Sequence, residues 1–147
     1  MKKFLIAATL LIAVTTAALA DGKKSNTQLL SQLKSSLKAV DAADWKTTDN
    51  YAKTTFTLNG KNVSAFLNPE THSLIGFSMA IDESALPEGT AANVAKKFAG
   101  WKMINPIMFL TESGRIDYYV QIVKNGQSQA LTVAGNGKVN FYAQIVK

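Results

Sequence analysis

Apolar residues recur along this chain with two different periods, and the switch between them marks out its elements. Leu30, Leu33, Leu37 and Val40 stand at three- and four-residue steps, with Gln32, Lys34, Ser36 and Lys38 on the other side, which is the stripe of an amphipathic helix. Ser25-Asn26-Thr27-Gln28 matches a capping box, so the helix is predicted to begin there. After Asp41 to Asp44 and Trp45 the period drops to two, the period of half-buried strands.

Within Tyr51 to Leu67, Asn59-Gly60 sits between two alternating runs and predicts a type I′ hairpin, because both residues tolerate positive φ. A two-residue turn fixes the register. Leu58 then faces Lys61, Phe56 faces Val63 and Thr54 faces Ala65, placing Phe56, Leu58, Val63, Ala65 and Leu67 on one side and Thr55, Thr57, Ser64 and Phe66 on the other. A loop through Asn68 and His72 leads to a third strand, with Ile75, Phe77, Met79 and Ile81 predicted to share a face opposite Leu74, Gly76, Ser78 and Ala80.

Leu86-Pro87-Glu88-Gly89-Thr90 opens a second helix whose predicted buried face is Ala91, Val94, Ala95 and Phe98, with Gly100 placed to stop it. Lys102 to Leu110 reads as a strand. Pro106 cannot donate to a ladder, so this strand belongs at a sheet edge or across a bulge. Arg115 to Lys124, the turn Asn125-Gly126 and Gln127 to Val133 form a second hairpin, pairing Val120 with Leu131, Tyr118 with Val133, Gln121 with Ala130 and Tyr119 with Thr132. Gly135-Asn136-Gly137 turns into a last strand, Lys138 to Val146, in which Val139, Phe141, Ala143 and Ile145 alternate with Asn140, Tyr142 and Gln144.

The order helix, tryptophan, Asn-Gly hairpin, further strand thus occurs twice, around Trp45 and around Trp101. Trp45 lies 14 residues before Asn59 and Trp101 lies 24 before Asn125, which suggests a tandem helix-plus-hairpin repeat that diverged through an insertion. The expected fold class is α+β, with two helices packed on one face of an antiparallel sheet. Phe56, Phe77, Tyr118, Val120 and Phe141 are expected in the core. Two short helices can cover only one face, so the other is left to Thr55, Thr57, Ser64, Phe66, Tyr119, Gln121, Thr132, Tyr142 and Gln144.

The amino terminus changes the compartment. Met1-Lys2-Lys3, the apolar run Phe4 to Val14 and the small-residue end Ala18-Leu19-Ala20 have the layout of a secretory signal peptide, cleaved after Ala20. That leaves residues 21–147 as one domain, periplasmic or secreted, with no membrane insertion after cleavage. The chain has no cysteine, so neither disulfides nor a lipid anchor nor thiol chemistry is open to it. Its formal charge of +6 falls to +4 once Lys2 and Lys3 are removed. The lysines are dispersed, with Lys23-Lys24 and Lys96-Lys97 the mature doublets, and Arg115 is the single arginine. Nucleic acid would require clustered guanidinium groups and interleaved aromatics and is excluded as a partner.

Little in the sequence points to catalysis. His72, the one histidine, stands in a predicted loop without the partners of a triad or a zinc site, and reads as an exposed turn residue. Asp41, Asp44 and Asp49 lack the acid spacing and glycine of a calcium loop, and Asp82, Glu83 and Glu88 read as acids ahead of a helix. Gln121 to Gly126 is similar to the Gln-x-Val-x-Gly hairpin of cystatins but carries one residue too many before the glycine. No metal or cofactor is implied, and the chain is expected not to be an enzyme.

The succession of helix, Trp45, Tyr51, Asn59-Gly60, Phe66-Leu67-Asn68, Leu86-Pro87, helix and Tyr118-Tyr119-Val120 resembles the PepSY-like, β-lactamase-inhibitor-like periplasmic proteins over nearly all of the mature chain. The resemblance implies helices against an antiparallel sheet and a role in binding or inhibiting another protein, such as a peptidase or a β-lactamase. The inhibitors for which the family is named present an acidic residue from a hairpin loop, whereas both hairpin tips here are Asn-Gly.

These strands lead to a binding module that takes a protein or peptide on its open sheet face through Phe66, Tyr119, Gln121, Tyr142 and Gln144, since tyrosine offers area with a polar tip and amides offer adaptable hydrogen bonds. The alternative is a small-molecule or metal-ion sensing module of the cell envelope, which would call for a buried apolar pocket or an ion site.

Overall fold

The computed structural model describes residues 22–41 and 44–145, with side chains from Asn26 onward. The expected signal peptide and Val146 lie outside these residues. Helix α1 (Gly22–Leu37) is followed by strands β1 (Lys46–Thr47), β2 (Ala52–Leu58), β3 (Lys61–Leu67) and β4 (Leu74–Ala80); helix α2 (Thr90–Lys97) precedes β5 (Lys102–Thr111), β6 (Ile116–Lys124), β7 (Gln127–Val133) and β8 (Val139–Gln144). The eight strands form one antiparallel sheet in chain order. The fold is α+β, as expected.

Both helices lie on the same face of the sheet, each over its own core. Leu30 and Leu33 of α1 pack with Val63, Ala65, Phe77 and Leu110, flanked by Trp45, Phe56 and Leu74. Val94 of α2 packs with Leu86, Val120, Ile122, Leu131, Val133 and Val139, flanked by Phe98, Trp101 and Tyr118. Each tryptophan thus packs against the core that holds the helix it follows. Complete burial of a leucine such as Leu33 contributes about 1.5–3 kcal/mol. Met108, also buried, joins the halves, since it pairs with Met79 of the α1 core and Tyr118 of the α2 core.

Both hairpins have the expected register, residue for residue. Asn59 and Gly60 have φ of 50° and 75°, Asn125 and Gly126 of 50° and 78°, the paired positive angles of a type I′ turn. The strands that lack such a turn depart from the expectation at β-bulges, where one extra residue reverses the alternation. Between Phe66 and Leu67 the partner jumps from Gly76 to Leu74, so Leu74 packs on the α1 core and Ile75 is 40% exposed. Pro106 lies in a bulge of a central strand, between Ile104 and Ile107, and its carbonyl accepts from the Ile81 N–H at 3.0 Å. In β8 the partner of Leu131 is Phe141 while that of Ala130 is Ala143, which leaves Tyr142 as the extra residue.

Phe141 corrects the expected core. It points to the helix side by register but is 56% exposed, because β8 is the outermost strand and α2 covers only its start at Val139. The inward face of α2 also differs from the expected one. Ala91 and Ala95 are exposed, and Thr90, Asn93, Val94 and Phe98 turn inward. Hydrogen bonds set this rotation: the Thr90 hydroxyl donates to the Pro87 carbonyl, Asn93 Nδ2 to the Gly137 carbonyl at 2.9 Å and Lys97 Nζ to the Val139 carbonyl at 3.0 Å. Helix α1 already runs from Gly22, so Ser25 lies within it and not at its cap; Lys23 and Lys24 are good helix formers.

Candidate functional site: the open face of the sheet

The face opposite the helices carries an aromatic group at each end. At one end Phe66 of β3 meets Tyr51 edge-on, with centroids 5.4 Å apart, and Phe109 of β5 at 5.9 Å; Lys53 Nζ lies 5.7 Å from the Phe66 centroid. Phe109 can reach across β4 because Gly76 has no side chain: a Cβ there would stand 2.5 Å from the Leu110 carbonyl oxygen and 2.8 Å from the Phe109 ring. At the other end Tyr119 of β6 and Tyr142 of β8 meet edge-on at 5.4 Å.

Between them lies a depression of about 550 Å³, bordered by Ser64, Ser78, Ile107, Tyr119, Gln121 and Ile145. Its lining residues include no charged side chain and no histidine. Ile107 and Ile145 keep 37% and 36% of their surface exposed, so its floor offers apolar area to a partner. The polar wall is ordered. Asn105 Nδ2 donates to Gln121 Oε1 at 2.8 Å, and Gln121 Nε2 donates to the hydroxyl of Ser128, which is itself buried.

The Tyr119 phenol is held above the ordinary tyrosine range, first by burial, then by the charge of Asp117 and by Tyr142, with Arg115 acting in the opposite sense. It therefore stands as a neutral O–H near neutral pH, able to donate as well as accept. Arg115 Nη2 itself contacts Asp117 Oδ2 at 2.8 Å.

Of the five residues expected at this face, Tyr119, Gln121 and Tyr142 come together at one end. Phe66 is three strands away from Tyr119 in the sheet, roughly 15 Å at the usual spacing. Gln144 is not part of the face. The β8 bulge places it opposite Gln129, in alternation with the open-face positions, and its Nε2 donates to the Ser128 carbonyl at 2.9 Å. Ile107, Phe109, Asn105 and Ile145 were missed. Pro106 signals the bulge that sets the first three, but not which way the strand resumes beyond it.

Elsewhere, His72 sits at φ 56° in the β3–β4 loop, its N–H donating to the Asn68 carbonyl at 2.9 Å. Among the described residues no three histidine, cysteine, aspartate or glutamate side chains are grouped to hold a metal ion, and no helix is long and apolar enough to cross a membrane.

No protein-family profile matches the chain, and no curated protein matches it in sequence. Its fold is shared with solved structures. A BLIP-like protein from Bacteroides fragilis NCTC 9343 superposes with a TM-score of 0.54 at 11% identity, covering 80% of this chain and 84% of that one. A DUF2874 family protein from Bacteroides uniformis ATCC 8492 gives 0.58 at 13% identity over 78% and 83%. A protein from Bacteroides eggerthii DSM 20697, described as a "putative periplasmic" one, gives 0.59 at 14% identity over 82% and 86%. At these identities the likeness is one of fold, and it is the fold that the resemblance implied.

Proposed function

We propose that this chain is an exported, non-catalytic binding module that takes a protein or peptide on the open face of its sheet. The observation that carries the reading is the uncharged depression around Ile107, set between two aromatic groups on a face that neither helix covers. Such a surface matches the apolar centre of a protein interface, where aromatic anchors supply most of the affinity. A fold shared with a BLIP-like protein supports a protein partner, and the signal-peptide pattern before Asp21 supports residues 21–147 as the exported domain.

Capture from envelope extract by the wild-type protein and by an Ile107→Arg variant tests the reading. A partner retained by the first and lost by the second supports it, and truncation of Tyr119 or Tyr142 should then cost about 1–2 kcal/mol of affinity each. Equal capture by both proteins would mean that the partner uses another surface. Export is tested by mass spectrometry of the secreted or periplasmic fraction, in which the amino terminus should be Asp21.

A further inference from the structure

The two edges of the sheet are unlike. Strand β1 is two residues long and exposes Lys46, a short charged edge of the kind that discourages pairing with another chain. Strand β8 runs Val139-Asn140-Phe141-Tyr142-Ala143-Gln144 with no charge and no proline, and among the described residues it has a strand on one side only. The Val139 carbonyl accepts from Lys97 Nζ and so points away from β7; Phe141, two residues on and before the bulge, directs its N–H and C=O the same way. Phe141 and Tyr142 are 56% and 61% exposed and straddle this edge, Phe141 on the helix side by register and Tyr142 on the open face against Tyr119.

The start of the same edge is basic. Lys96, Lys97 and Lys138 line a shallow hollow with Asn93 and Val139, and neither ion pair found among the described residues involves any of the three. We infer that β8 receives an extended acidic peptide as a ninth strand: the peptide backbone pairs with the outward groups of β8, its side chains are gripped by Phe141 and Tyr142, and its carboxylates meet Lys96 and Lys138. Added antiparallel, the peptide brings its carboxy-terminal end to Val139, so that is where the acids belong. A second copy of this chain fits less well, since its β8 laid antiparallel would bring the uncharged Ala143 and Gln144, and no acid, to Lys96 and Lys138. The edge shares Tyr142 with the open face but neither the depression around Ile107 nor Tyr119.

A fluorescein-labelled peptide of alternating threonine and valine ending in paired aspartates is the probe, followed by anisotropy against the purified protein. Binding should weaken at least about tenfold when lysines replace the aspartates or when alternate amides are N-methylated. Phe141→Pro removes an outward N–H without touching the β7 ladder and should weaken binding as much; Lys96→Ala with Lys138→Ala should weaken it and flatten its salt dependence, while Lys46→Ala on the opposite edge should leave it unchanged. Absence of binding, or equal binding of the N-methylated peptide, overturns the inference, and the latter result stands even if Phe141→Pro does not fold. So does a wild-type dimer that Phe141→Pro converts to monomer, which would assign the edge to a second copy.

Discussion

Tyr119 and Tyr142 touch although their strands do not: β6 and β8 lie on either side of β7, and the two rings meet edge-on over it with centroids 5.4 Å apart and planes at 71°. Thr132, the β7 partner of Tyr119, and Ala130 beside it are small enough to be bridged. The contact ties the bulged edge strand to the interior of the sheet. A double-mutant cycle with Tyr119→Ala and Tyr142→Ala should therefore give a coupling of about 0.5–1.5 kcal/mol in unfolding free energy. Strictly additive losses would mean that the rings do not hold each other in solution.

The same neighbourhood gives a pH dependence at alkaline pH. Burial raises the Tyr118 phenol, and burial with Asp117 and Tyr142 raises that of Tyr119, against the lowering by Arg115. A tyrosine whose folded pKa exceeds its unfolded one retains its proton longer in the folded state. Its contribution to stability is complete below the ordinary tyrosine pKa and is lost as pH rises through the folded value. Stability should thus decline above about pH 10, and Asp117→Asn should move the Tyr119 titration, followed by ultraviolet difference absorbance, to lower pH.

Phe77 and Phe141 separate the true core from the edge. Phe77 is fully buried in the α1 core and meets Phe56 edge-on at 6.3 Å, so Phe77→Ala should cost about 3–5 kcal/mol. Phe141 is 56% exposed, and Phe141→Ala should cost less than about 1 kcal/mol. Denaturant midpoints at unchanged slope would show the difference, and similar losses would place Phe141 in a core that the described residues do not supply.

The contrast between these phenylalanines shows what was legible in the sequence. Asn59-Gly60 and Asn125-Gly126 are two-residue turns with their own chemistry, and each propagates a register along both its strands, so Val63, Ala65, Val120 and Leu131 could be assigned to the core directly. A bulge adds one residue without changing composition. The bulges at Ile75 and Tyr142 leave no mark, and past each of them every assignment reverses, which moved Leu74 into the core and took Gln144 off the open face. Only the third bulge carries a sign, Pro106, because proline cannot complete the ladder. The face of a helix as short as α2 was no better determined, since side-chain bonds from Thr90, Asn93 and Lys97 set its rotation.

Thr54 stands where alternation along β2 puts a core residue, opposite Ala65, and only 2% of its surface is exposed. Among the described residues its Oγ1 has no hydrogen-bond partner. A buried hydroxyl of this kind has given up its water without recovering a bond, which costs about 1–3 kcal/mol. Valine has nearly the same shape and carries a methyl in place of the hydroxyl. Thr54→Val should therefore stabilise the fold by about 1 kcal/mol, seen as a higher denaturant midpoint at the same slope. Thr54→Ser is the converse test: it keeps the unpartnered hydroxyl and loses the methyl, so it should be less stable than wild type. A valine variant weaker than wild type would show that the hydroxyl is bonded in solution after all, and that this position on β2 was chosen for its oxygen.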